Sequence, residues 1–236
     1  MIRFAGLEFK GLTREVLLRE EGFLKIIVTV NAELIVLANE DERFKRLINA
    51  NYATFDGQVP YLLARLKCRG AYFEKISGSD FIYDACEFAR KHVKRVFLLG
   101  GYTNSNRLAV ERLKKEYDIE IEGFSPEHRP YPFDAVHNAR ILERLSSFGP
   151  HILFVGFGAK KQEFWIEDNK KLLKNIGVRW AVGSGGTFEM VSGQFRRASR
   201  FLQNVGLEGV YRMCKEPSLY RLKKLLNSIK MFRYLF

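Results

Sequence analysis

The sequence predicts an α/β protein: an open, mainly parallel sheet with helices on both faces, followed by a basic helical appendage. Three observations predict it. Short β-rich runs alternate with amphipathic helical patterns, the strands end in glycine, and positive charge collects at the C-terminal end. Strand, glycine and helix in repetition form the pattern of parallel βαβ units. At 236 residues with 47% hydrophobic and 28% charged content, the chain suits one large domain or a domain with a small addition.

The elements follow in order. Phe23–Val30 ("FLKIIVTV") reads as a buried strand from its length and β-branching, and "AELIVLANEDERFKRLINA" after it has helical spacing. In "ATFDGQVPYLLARL", Asp56-Gly57 would suit a hairpin, but Pro60 and a helical run follow, so the pair joins a strand to a helix. "SGSDFIYDACEFARKHVKR" is a helix with Ser79 or Asp80 as its N-cap. Arg95–Gly101 is a strand, "NRLAVERLKKEY" a helix and "IEIEGF" a strand. "SPEHRPYPFDAV" holds three of the six prolines and reads as a loop. His151–Gly158 is a strand, "KKQEFWIEDNKKLLKN" a helix and Val178–Gly186 a strand. In such Rossmann-like sheets ligands bind beyond the carboxyl ends of the strands, where these glycines lie.

A boundary is expected near Gly193, giving a core of residues 1–195 and an appendage of 196–236. Residues 196–236 hold ten Lys and Arg against two Glu, a balance of +8 out of the chain's +12. The runs from Ser199 to Glu216 and after Pro217 both read as helices. In the second, Leu219, Leu222, Leu226, Ile229 and Phe232 line one side, while Arg221, Lys223, Lys224 and Lys230 lie elsewhere. This is a basic amphipathic helix, suited to an acidic partner such as an anionic membrane, or to packing on a core with its basic side in water.

Several function classes lose support. No apolar run approaches the roughly 18 residues of a membrane span, and "MIRFAGLEFKGLTREVLL" lacks the order of a signal peptide, so a cytoplasmic location is expected. Cys68, Cys86 and Cys214 form no C-x-x-C, and the four histidines show no metal spacing. Gly156 and Gly158 are spaced for a dinucleotide fingerprint, but Lys161 stands at the third glycine position, and no P-loop is present. There is no D-x-D motif to hold a divalent metal on a diphosphate.

What remains is a set of polar residues at strand ends. "LLGGYTNSN" and "VGFGAKKQE" each close a strand and open a helix, where backbone N–H groups can meet phosphate and glycine permits close approach. Tight βα turns need glycine as well. Thr29 and Asn31 in "VTVNAEL" fit a strand residue and a helix cap. Lys160 and Lys161 put positive charge on the positive end of a helix, which favours an anionic partner there.

Taken in order, "TVNAELIVLA", "ATFDGQVPYLLARL", "KISGSDF", "VFLLGG", "ILFVGFGAKKQEFWI", "GSGGTFEMVSGQFRRAS" and "GLEGVYRMCKEP" resemble the motifs of the bacterial WecG/TagA/CpsF glycosyltransferases (glycosyltransferase family 26) over about residues 1 to 220. The resemblance implies an inverting, metal-independent hexosyltransferase without a cofactor. It would move a sugar, often of the N-acetylmannosamine type, from a UDP-sugar to a polyprenyl-diphosphate-linked glycan for teichoic acid, enterobacterial common antigen or capsule. Asp56 would be the general base, Thr29 and Asn31 would line its pocket, and Gln162 would stand near the reacting sugar. Further donor contacts are expected from Gly57, Lys75, Gly100, Gly101, Gly156, Gly158, Lys161, Glu163, Gly185 and Gly186, and from Arg212 and Arg221 of the appendage. The enzyme would sit at the inner face of the cytoplasmic membrane, with homo-oligomerisation left open.

The sequence departs from the family pattern at four places. Gln58 follows the "DG" pair where more apolar residues are usual. Lys75 stands where an Arg is frequent, turning a bidentate contact into a point charge. Lys160 replaces a common Pro, and Arg221, Lys223 and Lys224 are shifted behind "EP". Two rival classes are a basic nucleic-acid-binding protein, which lacks a recognisable motif here, and an inactive sugar-nucleotide-binding homologue.

Overall fold

A computed structural model of the chain describes residues 1–194, 211, 213–214, 226 and 228–235. The chain forms two compact units, one of Met1–Leu17, Thr29–Ser77 and Arg196–Phe236, the other of Leu18–Val28 and Gly78–Phe195.

In the first unit a hairpin opens the chain. Strands β1 (Ile2–Phe4) and β2 (Leu7–Phe9) pair antiparallel through a two-residue turn, Ala5-Gly6, with positive φ at both positions. The hairpin supplies Phe4 and Phe9 to an aromatic cluster around Phe55, the last residue of β4 (Tyr52–Phe55). Phe9 stacks on Phe55 with centroids 3.9 Å apart, Phe73 approaches it at 4.9 Å and Phe4 at 5.9 Å. All four rings are buried, each worth about 1.5–3 kcal/mol relative to exposure. The cluster thereby fixes the strand end from which Asp56 and Gly57 depart.

After the short helix α1 (Arg14–Leu18), helices α2 (Ala32–Asn39) and α3 (Glu42–Ala50) stand where one long helix was expected. Asp41 divides them: its carboxylate accepts from the N–H groups of Arg43 and Phe44 and so caps the second helix. Helix α4 (Gln58–Lys67) follows β4 and buries Pro60 and Ala64. Near the C-terminus Ser228–Lys230 are helical and Met231–Tyr234 form a 3₁₀ turn. Met231 and Leu235 are buried, and the Lys67 ammonium donates to the Leu235 carbonyl.

The large sheet has the strand order β4-β3-β8-β7-β5-β6. Its members are β3 (Lys25–Val30), β5 (Val96–Gly100), β6 (Ile121–Phe124), β7 (Ile152–Gly156) and β8 (Trp180–Gly183), besides β4. The pairs β3–β8, β8–β7, β7–β5 and β5–β6 are all parallel. In the second unit β5, β7 and β8 are apolar throughout, as strands covered on both faces should be. Helices α5 (Gly78–His92), α6 (Thr103–Tyr117) and α10 (Thr187–Val191) pack on one another. So do α7 (Ala135–Phe148), α8 (Lys161–Asp168) and α9 (Lys170–Ile176). From β5 the chain crosses to β6, and from β7 it crosses the other way to β8. With right-handed crossovers, α6 and α8 therefore lie on opposite faces, and the topological switch falls between β5 and β7.

Two sequence expectations change. Helix α5 begins at Gly78, so Ser79 and Asp80 belong to its first turn and not to its cap. The single helix expected from Lys160 is split at Asn169, which ends α8 and begins α9. The expected helix from Ser199 to Glu216 is described at Tyr211, Met213 and Cys214, all helical. Arg212, Leu219, Arg221, Leu222, Lys223 and Lys224 lie outside the described residues.

Candidate functional site

In the first unit the ends of β3 and β4 gather Thr29, Asn31, Asp56, Gly57 and Lys75. The Asp56 N–H donates to the Val30 carbonyl at 3.0 Å, which places the aspartate beside the exit of β3. On the other side Phe55 bridges Lys75, and the Ile76 N–H donates to the Phe55 carbonyl at 2.9 Å. The buried Thr54 hydroxyl, donating to the Ile76 carbonyl at 2.8 Å, locks the same neighbour in place. Asp56 is thus held by main chain on both flanks, and its residue is half-buried.

Gly57 makes the sharp exit. Its φ of +94° belongs to glycine, and among the described residues a Cβ there would meet only Pro60, at 3.9 Å. No other described residue fills the space above this peptide. Gln58 begins α4, and its side-chain oxygen accepts from the Lys75 ammonium at 3.0 Å. The two departures from the family pattern, Gln58 and Lys75, are therefore partners, and the lysine is held next to the Asp56 junction. Asn31 caps α2, its side-chain oxygen accepting from the Leu34 N–H at 3.0 Å. Thr29 is buried in the last part of β3.

The second unit gathers Gly100, Gly101, Gly156, Gly158, Gln162, Glu163 and Gly185 at the switch point. Gln162 is buried at the start of α8 and works as a clamp. Its side-chain oxygen accepts from the Gly158 N–H at 3.2 Å and from the Gly185 N–H at 3.0 Å, joining the loops after β7 and β8. Its amide nitrogen donates to Glu163 Oε1 at 2.7 Å. Both side chains lie against Gly183, where a Cβ would come within 2.7 Å of Glu163 Oε1 and 2.9 Å of Gln162 Nε2.

The glycines divide into two kinds. At Gly100 a Cβ would strike the Gly156 carbonyl oxygen at 2.8 Å, and at Gly101 and Gly156 it would strike the buried Phe188 ring at 2.7 and 2.9 Å. These three make room for the protein's own chain. At Gly158 and Gly185, with φ of +92° and +52°, a Cβ would meet no described residue within 4 Å. Among the described residues these two face open space, and Gly186 lies beside them at the start of α10.

The half-buried Lys161 donates to the Arg129 carbonyl at 2.7 Å, tying the proline-rich loop to α8. Tyr131, from the same loop, donates its hydroxyl to Asp168. Burial lowers the pKa of the Lys161 ammonium. Lys160 has a φ of +66°. A proline ring fixes φ near −65°, so the residue common elsewhere in the family is incompatible with this backbone.

Sequence reasoning missed Asn106 and Phe188. The buried Asn106 amide donates to the carbonyls of Leu98 at 2.9 Å and Gly100 at 2.8 Å, securing the start of α6 to the end of β5. Its signal was an amide one turn into a helix that follows a glycine-ended strand. Phe188 carried none, since its value lies in which glycines it covers.

Among the described residues no group of three or more His, Cys, Asp or Glu is placed to hold a metal ion, and no helix is long and apolar enough to cross a membrane. In open parallel sheets ligands bind beyond the carboxyl ends of the strands, which is where the Asp56 junction lies in the first unit and the glycine turns lie in the second. Comparison with known families agrees with the sequence motifs: the glycosyl transferase WecG/TagA/CpsF family model matches residues 1–236, and the chain belongs to that family of glycosyltransferases.

Proposed function

We propose that the protein transfers a hexose of the N-acetylmannosamine type from a UDP-sugar to a polyprenyl-diphosphate-linked acceptor, with inversion and without a metal. The observation that carries this reading is Asp56, half-buried and held by main chain on both sides, next to the space that the described residues leave open at Gly57. Inverting transfer needs one base. The acceptor hydroxyl attacks the anomeric carbon, the bond from that carbon to the β-phosphate oxygen breaks, and the hydroxyl proton passes to Asp56. UDP leaves as a good leaving group, so no second carboxylic acid is required, unlike in glycoside hydrolysis. The charge that develops on the β-phosphate is met by cationic side chains and backbone N–H groups. Lys75 is one such cation, and Arg212 and Arg221 of the appendage are the others we assign. Gln162 acts in this scheme as a positioning residue that sets the loops around Gly158 and Gly185.

The acceptor's lipid calls for a surface that meets a membrane. Leu226, Ile229 and Phe232 are exposed apolar side chains near the C-terminus, accompanied by Lys230 and Arg233. That combination suits peripheral docking on the anionic inner face of the cytoplasmic membrane. The test is product formation from a panel of UDP-sugars and a lipid-diphosphate-GlcNAc analogue, read by mass, with and without EDTA. A glycosylated acceptor whose yield ignores EDTA is expected. No transfer from any UDP-sugar, or transfer only with an added divalent metal, overturns the reading.

A further inference from the structure

Helix α4 joins two features not yet connected. At its start stand Asp56 and Gly57. Its inner face is closed by buried Pro60 and Ala64, four residues apart. The outer face, at i, i+3 and i+4, is Leu62, Arg65 and Leu66, with Leu62 45% and Leu66 64% exposed. Two large apolar side chains thus share one exposed helix stripe. Tyr72, 73% exposed, belongs to the same neighbourhood: Tyr61 and Arg65 of α4 both pack on the ring of Phe73, at 5.7 and 5.9 Å.

The charge around this face has one sign. From Gly57 to Phe73 the sequence contains no Asp or Glu, while Arg65, Lys67 and Arg69 are exposed. Lys67 also grips the Leu235 carbonyl, which ties the end of α4 to the C-terminal segment that carries Ile229, Lys230, Phe232 and Arg233. Exposed leucines, an exposed tyrosine and basic residues without acidic ones fit an interface of hydrocarbon below and anionic headgroups above.

We infer that the outer face of α4 is a second contact with an anionic lipid surface, beside the C-terminal segment. The inference rests on the reading of a lipid-linked acceptor. Its consequence is geometric. With a rise of 1.5 Å per residue, Leu66 lies about 12 Å along the helix axis from Gln58, so the membrane contact and the candidate base are separated by roughly two helical turns. A sugar joined to its lipid by a diphosphate spans a gap of that size.

The experiment uses the full-length chain and sedimentation with vesicles of phosphatidylglycerol and phosphatidylcholine, and with phosphatidylcholine alone. The parent binds the anionic vesicles and leaves the neutral ones. Leu62→Glu combined with Leu66→Glu weakens anionic-vesicle binding by about tenfold or more, while circular dichroism and transfer to a short-chain soluble acceptor stay at the parent's level. If the double glutamate variant fails to fold, Leu62→Ser with Leu66→Ser gives the same comparison. Ile229→Glu with Phe232→Glu reports on the tail alone. If the tail variant loses binding and the α4 variant keeps the parent's, the α4 contact is refuted and tail docking stands. If the parent ignores both vesicles, both fail. If the α4 variant keeps vesicle binding but changes from dimer to monomer, the face joins two copies of the chain and the inference is overturned. Vesicle binding lost on α4 substitution in a parent without UDP-sugar transfer would leave the lipid contact standing and remove the enzymatic reading.

Discussion

The loops after β4 and β7 look alike in the sequence and behave differently in the structure. Each leaves a parallel strand, passes a glycine of positive φ and enters a helix with a polar residue nearby. After β4 the polar group is the carboxylate of Asp56, half-buried beside Gly57. After β7 it is the amide of Gln162, buried and engaged by two backbone N–H groups and a neighbouring carboxylate. One junction carries a carboxylate, which can take up a proton, and the other an amide, which cannot and which sets loop geometry. A strand–glycine–helix motif therefore marks where a site can be, and the chemistry of its polar side chain decides which member can act as a base.

Three substitutions test that contrast. The largest effect is expected for Asp56→Asn, whose carboxamide cannot take the proton: transfer falls by about 10²–10⁴, while the urea midpoint stays at the parent's value. Turnover within a few-fold of the parent would abolish the distinction between the two junctions. Next comes Gln162→Ala, which leaves the N–H groups of Gly158 and Gly185 without their acceptor. A stability loss of about 2–4 kcal/mol in urea unfolding is expected, with a raised KM for the donor as the loops loosen. Unchanged stability together with a collapse of kcat would instead make Gln162 a group that touches the reacting sugar. The smallest effect is expected at Lys160, where Lys160→Gly relieves a backbone of positive φ and stabilises by about 1 kcal/mol, read as a higher urea midpoint. A lower midpoint would show that the lysine side chain, and not the backbone, governs that turn.

The parallel strands were legible because they are long apolar runs closed by glycine, and the Asp56 junction was legible because Pro60 and a helical run follow it. The division of helices at Asp41 and Asn169 was hidden, since the apolar spacing continues across both breaks and only the capping bonds at Asp41 reveal the first. The hairpin at the N-terminus was missed because its two strands have three residues each, too few to show alternation. The roles of the glycines were hidden for a different reason. Gly101 and Gly158 carry the same residue type at equivalent turns, yet one is filled by Phe188 and the other meets no described residue, a distinction made by a residue distant in the chain. Gln58 and Lys75 were each visible as departures from a family pattern, and their pairing emerges only when β4 is set beside the segment that leads to Ile76.

The register of β3 has a consequence for the order in which the protein forms. Lys25 pairs with Trp180 and Val28 with Gly183, so an early strand that has β4 nearby in sequence finds its second neighbour only when most of the chain exists. Such non-local pairing must pay loop-closure entropy before any contact repays it, and it slows folding. At ordinary rates of synthesis the apolar run "KIIVTV" waits on the order of ten seconds for β8 to leave the ribosome. Throughout that interval the β8-facing edge of β3 is uncovered, and the last strand among the described residues is the one that closes the centre of the sheet.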